Sequence, residues 1–125
     1  MGKREYQVEF YEMPDGTKPL KNYLKELAPK LRAKIYRAID MLEENGPELR
    51  EPTSKLLREG IFELRAQVGS DISRVLYFFS IDRKAILVSG FTKKTQKTPQ
   101  AEIEKAEKYR NSYMRRKGVK DERME

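Results

Sequence analysis

Between Ile61 and Pro99 the chain shifts to strand-like patterning, and this stretch predicts the centre of a sheet. Ser73 to Phe79 and Ala85 to Phe91 are apolar at nearly every position, as strands covered on both faces are. Ile61 to Val68 alternates instead. Phe62, Leu64, Ala66 and Val68 share one face and Glu63, Arg65 and Gln67 the other, because successive strand side chains point to opposite sides. One face of the sheet therefore carries charge. Tyr6 to Glu12 alternates as well, with Tyr6, Val8 and Phe10 opposing Gln7, Glu9 and Tyr11, and predicts an opening strand at or near a sheet edge. Pro14, Asp15 and Gly16 end it as a turn.

Helical periodicity fills the space between. Pro19 suits a first helical turn, where its missing N–H removes nothing, and Leu20, Tyr23, Leu24 and Leu27 follow at spacings of three and four, stopped near Ala28 by Pro29. A second helix is predicted from about Lys30 to Asn45, with Leu31, Ile35, Ala38, Ile39 and Leu42 on one side and a stop at Asn45, Gly46 and Pro47. Residues 48–60 read as a loop pinned by Leu56 and Leu57. Thr98 and Pro99 read as the N-cap and first residue of a last helix whose apolar side is Ile103, Ala106, Tyr109 and Tyr113. The order is strand, helix, helix, three strands, helix. It predicts an α+β fold, a small antiparallel-rich sheet packed by an N-terminal helical hairpin and a C-terminal helix. The expected division is one domain over residues 1–113 and a charged, frayed tail over 114–125.

Composition narrows the chemistry. The 125 residues include neither cysteine nor histidine, which excludes disulfides, thiolate metal sites and the usual general base. No apolar run reaches the roughly 20 residues that span a bilayer, and the opening MGKREYQVEF is too polar for a secretory signal, so the expected location is the cytoplasm, with no membrane association. Net charge is +7, which favours a polyanionic partner. By segment it is +1 over residues 1–60, +4 over 61–101 and +2 over 102–125, and from Arg83 to Ala101 there are five cations and no acid.

Arg65, Arg74 and the group Lys93, Lys94 and Lys97 come from consecutive elements that a meander sets side by side. Arg74 adjoins the apolar run Val75 to Phe79, where a charge is costly unless it pairs with Glu63 or Asp71 or faces an anion site. The lysines precede a helix start, whose dipole and free N–H groups are already positive, an arrangement that makes sense around a phosphate; the plain alternative is a solvated loop. Glu63 reads as a general base or, preferably, as partner of Arg65 or Arg74. Tyr77, Phe78, Phe79 and Phe91 offer rings that could stack bases, although alternation lets at most one set reach a ligand.

The strings GIFELRAQ, SRVLYFF and AILVSGFTKKTQKTP, followed by a helix AEIEKAEKYR, resemble the RelE/ParE superfamily of type II toxins, specifically its phage-derived HigB-like branch, over about residues 5–113. The resemblance implies a cytoplasmic toxin silenced by a cognate antitoxin of helix-turn-helix type, touching DNA only through that antitoxin. It implies a ribosome-dependent mRNA endonuclease, with ribosome and mRNA as partners and neither metal nor cofactor. By the same resemblance Arg74 and Lys94 are the leading catalytic candidates as phosphate stabilisers, with Lys93 and Arg65 the second choices, for binding the RNA backbone or assisting proton transfer. Lys97, Arg65 and Tyr77 are the expected RNA contacts, Lys97 from the cation group and Tyr77 from the rings. Other members carry lysines where this chain has Glu63, or use histidines, so the general base is unassigned. ParE relatives share the fold but inhibit DNA gyrase, and a non-catalytic nucleic-acid-binding domain is the third reading.

Overall fold

The structure, a computed structural model, describes residues 6–118. Five strands form one sheet: β1 (Gln7–Phe10), β2 (Ser54–Arg58), β3 (Ile61–Val68), β4 (Asp71–Phe79) and β5 (Lys84–Lys93), in the order β1-β5-β4-β3-β2. The long apolar strands β4 and β5 lie inside the sheet, and the short strands are its edges. Strands β2 to β5 pair antiparallel, whereas β1 runs parallel to β5, with Val8 opposite Ala85. Helices α1 (Pro19–Glu26) and α2 (Pro29–Asn45) form the predicted hairpin, and α3 (Gln100–Arg116) closes the chain. This is the predicted α+β arrangement.

Alternation decides which face each strand residue covers. Leu64, Val75, Tyr77, Ala85 and Leu87 pack under α1 and α2 with Leu20, Leu24, Ile35 and Leu42. Ile61, Leu76, Phe78, Ile86, Val88 and Phe91 face the other way and pack with Ala106 and Tyr113 of α3. A register shift between Leu76 and Tyr77 places the extra residue in β5. On the hairpin side Gly90 lies against the ring of Tyr23, a closeness that only a residue without Cβ permits.

Three expectations change. Residues 54–58, read as loop, form edge strand β2; Leu56 points outward at 56% exposure and only Leu57 packs inward. SKLLR shows no alternation because an edge strand with a bulge between Leu56 and Arg58 answers to one neighbour only. Thr98 does not cap α3. Pro99 takes that position, its carbonyl accepting from the N–H groups of Glu102 and Ile103, and the Thr98 hydroxyl turns to Glu63. Third, α3 continues through Met114 to Arg116, where the tail was expected to begin, while residues 119–125 of that tail lie outside the described residues. Among the described residues, no helix is long and apolar enough to cross a membrane.

A candidate phosphate-binding face

Because α3 begins only at Gln100, one end of its sheet face is covered by the loop 94–98 rather than by the helix. Cross-strand register lays out what lies beneath. Arg65, Arg74 and Phe91 form one row; Glu63, Leu76 and Ser89 form the next toward α3; Gln67, Ile72 and Lys93 form the row toward the β3–β4 turn. Two guanidinium groups thus stand opposite each other on neighbouring strands, a pairing that repels unless something lies between them.

Glu63 lies between them. Its carboxylate is 3.4 Å from Nε of Arg65 and 3.6 Å from Nε of Arg74, and it also accepts from the Thr98 hydroxyl. Glu63 and Arg74 are 1% and 0% exposed. The loop closes over this cluster through its backbone and side chains: Arg74 Nη2 donates to the Thr95 carbonyl, and Arg65 Nη2 donates to Gln96 Oε1 at 3.0 Å. The Arg74 guanidinium also sits 5.8 Å over the Phe91 ring, an attraction that operates without a formal charge partner.

The set is incompletely satisfied. Nε and Nη1 of Arg74 and Nε of Arg65 have no hydrogen-bond partner, so Glu63 meets both arginines as a charge neighbour without accepting from either Nε. One carboxylate serves two guanidinium groups, leaving an excess positive charge in a desolvated place. Burial pulls the Arg74 pKa down from the ordinary arginine value, Glu63 works against that and Arg65 adds to it. An arginine so placed nevertheless keeps its proton. A buried cation with unused donors, facing a loop whose carbonyl occupies one of them, is suited to accept an anionic oxygen.

The remaining candidates fall into place around this cluster. Lys93 shares the face of Arg65 and Arg74, and the Lys93 and Lys97 side chains are exposed. Lys94 is drawn to the β3–β4 turn instead, with its ammonium 2.8 Å from Asp71 and 3.4 Å from the Ser70 hydroxyl. Tyr77 is on the opposite face, under the hairpin, 1% exposed, with its hydroxyl on Ser54 and its ring stacked on Phe62. Its ring offers no surface to a base, and the reason is alternation: an odd-numbered β4 residue turns away from Arg74. Sequence reasoning overlooked Thr98 and Gln96 as parts of the cluster. The threonine gave a signal that a cap explained equally well, and Gln96 gave none. Among the described residues, no group of three or more Asp or Glu side chains gathers to hold a metal.

The fold and this face define an α+β protein of RelE-like architecture with a cationic strand surface. Residues 22–111 match the family model for phage derived protein Gp49-like (DUF891), well over half of the chain, and the protein belongs to that family, one of RelE-like type II toxins. It is therefore toxin-like, and such a family implies an antitoxin as partner. None of the curated proteins matches the chain.

Proposed function

We propose that this protein is a HigB-like toxin that cuts mRNA on the translating ribosome and is held inactive in the cytoplasm by its antitoxin. The observation that carries this reading is the buried Arg74, whose unfilled donors lie beneath a lysine-bearing loop beside Arg65. The reaction needs no co-reactant. The ribose 2′-oxygen attacks its own phosphodiester, the bond to the 5′-oxygen breaks, and the proton lost from the 2′-hydroxyl is balanced by one gained at the leaving 5′-oxygen. The products are a 2′,3′-cyclic phosphate and a 5′-hydroxyl end. Charge accumulates on the phosphoryl oxygens as this occurs, and donors fixed in a low-dielectric setting stabilise it most.

In this reading a substrate phosphate displaces the Thr95 carbonyl from Arg74 and takes up Nη1 as well. Arg65, Lys93 and Lys97 grip the backbone on either side. Lys94 joins them by leaving Asp71, a pair 70% and 52% exposed and so worth at most about 1 kcal/mol. Glu63, held by two arginines and Thr98, positions the guanidinium groups rather than acting as the base.

Purified protein in a cell-free translation reaction, with 5′ ends mapped on a reporter message with and without ribosome engagement, tests this directly. Cuts should require translation. They should fall about a hundredfold in Arg74→Met, which preserves volume better than alanine does at a fully buried position. An intact message with the parent protein rejects nuclease activity and turns attention to gyrase inhibition, read by DNA supercoiling, or to binding without turnover. Cutting by Arg74→Met at the parent rate rejects the site.

A further inference from the structure

The near-neutral balance of residues 1–60 conceals a strongly polarised hairpin. From Lys18 to Arg37 there are seven Lys and Arg and a single acid, Glu26. Lys18, Lys21 and Lys25 follow the outer side of α1 at spacings of three and four, and Lys30, Lys34 and Arg37 do the same on α2. All six are exposed. The seventh cation, Arg32, is used internally, its guanidinium folded onto the carbonyls of Leu24, Lys25 and Leu27 at the end of α1.

Most of this charge opposes the helices that bear it. Neither α1 nor α2 has an acid in its first turn, α2 has no base in its last, and the acids of α2, Asp40, Glu43 and Glu44, lie in its C-terminal half. Apart from Lys25, which stands in the last turn of α1, that is the reverse of what the macrodipole favours. Successive cations at helical spacing also repel one another. Among the described residues none of the six is in an ion pair with an acid, and Lys34 alone is held, by the Gln67 carbonyl at 2.9 Å. That bond fixes the stripe to the end of β3. There Gln67, Ile72 and Lys93 form one cross-strand row, so the β3 carbonyl that holds Lys34 lies two strand spacings, about 10 Å, from the Lys93 backbone.

We infer that this corner of the hairpin is a second phosphate-backbone surface, continuous with the strand face around the β3–β4 turn, and that it holds structured RNA while the strand face takes the strand to be cut. The choice of RNA among polyanions rests on the function proposed above. The choice of polyphosphate over protein rests on the side chains. Five of the six cations are lysine, a residue depleted from the centres of protein interfaces, and Tyr36 is the only large apolar side chain exposed on the hairpin.

The test is fluorescence anisotropy of a labelled 16-base-pair RNA duplex titrated with the full chain between 50 and 300 mM salt. Three neutralised contacts, Lys30→Gln, Lys34→Gln and Arg37→Gln together, should make the slope of log affinity against log salt shallower by about 2 to 3. Their melting temperature should be equal or higher, since repulsion has been removed. A slope unchanged from the parent overturns the inference, and so does unchanged RNA binding combined with lost antitoxin binding, which would assign the surface to the protein partner. A parent that binds the duplex with this salt dependence yet leaves message intact would reject the nuclease reading and retain the surface.

Discussion

At the residue scale, the pivotal group is Glu63, because it keeps two arginines within reach of one another on neighbouring strands. Removing its charge strands Arg74, fully buried, without a counter-ion. Glu63→Gln should therefore lower stability by about 3–5 kcal/mol. Arg74→Met should cost less, because Glu63 retains Arg65 and Thr98, and the double variant should recover most of the loss. Urea unfolding midpoints measure all three, and a Glu63→Gln cost under 1 kcal/mol would show that the carboxylate is not what neutralises the pair. Tyr77 gives a pH signature on the other face. Burial raises its pKa from 10.0 to about 12, against the smaller opposing effect of the Ser54 hydroxyl. The folded state thus favours the neutral phenol. Its contribution is intact below pH 10 and declines as pH rises toward 12, by about 2–3 kcal/mol in full. Tyr77→Phe should lose that share of the alkaline decline while costing about 1–3 kcal/mol at neutral pH, where buried Ser54 is left without a partner. Identical alkaline slopes in parent and variant would contradict it.

At the scale of elements, the contact that fixes α1 on the sheet is Gly90 against Tyr23. A Cβ at position 90 would overlap the Tyr23 ring and come within 3.1 Å of Leu20. The ring cannot swing aside freely, because its hydroxyl bonds Ser73 at 2.6 Å and Thr92 at 2.7 Å. Gly90→Ala should cost about 1–3 kcal/mol in the parent and nearly nothing in a Tyr23→Ala background, a coupling that a double-mutant cycle on denaturation midpoints would detect. Additive costs would place the strain elsewhere. These elements also show where sequence is informative. The strands β4 and β5 were legible because burial on both faces leaves an unbroken apolar run, and the charged side of β3 because one face is not covered by the hairpin. The antiparallel order of consecutive elements set Arg65, Arg74 and the lysines side by side, although Lys93, read in the loop, is the last residue of β5. The edge strand β2 was not legible, since its pattern is set by one neighbour, nor was the parallel pairing of β1 with β5, a contact between residues over seventy positions apart. Capture of Lys94 by Asp71 and of Thr98 by Glu63 depends on how a loop closes, which spacing does not encode. The basic hairpin was hidden for another reason: summing charge over sixty residues sets its cations against the acids that flank them on both sides, Glu5 to Asp15 and Asp40 to Glu59.

On the scale of the whole molecule, a net charge of +7 is distributed so that Lys34 of α2, held at Gln67, and Lys94, held at Ser70 and Asp71, meet at the β3–β4 turn, with Lys93 in the adjoining cross-strand row. Self-repulsion there is relieved by any polyanion that binds the folded state, and binding stabilises by mass action. A duplex RNA at a hundred times its dissociation constant adds about 2.7 kcal/mol, which for a chain of this size raises the melting temperature on the order of 10 °C. Affinity carried by several phosphate contacts falls steeply with salt, by about a thousandfold between 50 and 200 mM, so the rise should be large at 50 mM and nearly gone at 300 mM. Without RNA, added salt should instead raise the melting temperature modestly by screening the same cations. Opposite salt responses with and without the ligand are the expected result in thermal scans. A rise that persists at 300 mM would mean that bases or apolar contacts, rather than the backbone charge, hold the RNA. The absence of any rise at 50 mM would mean that the converging charge is not met by nucleic acid and is there to be met by the antitoxin.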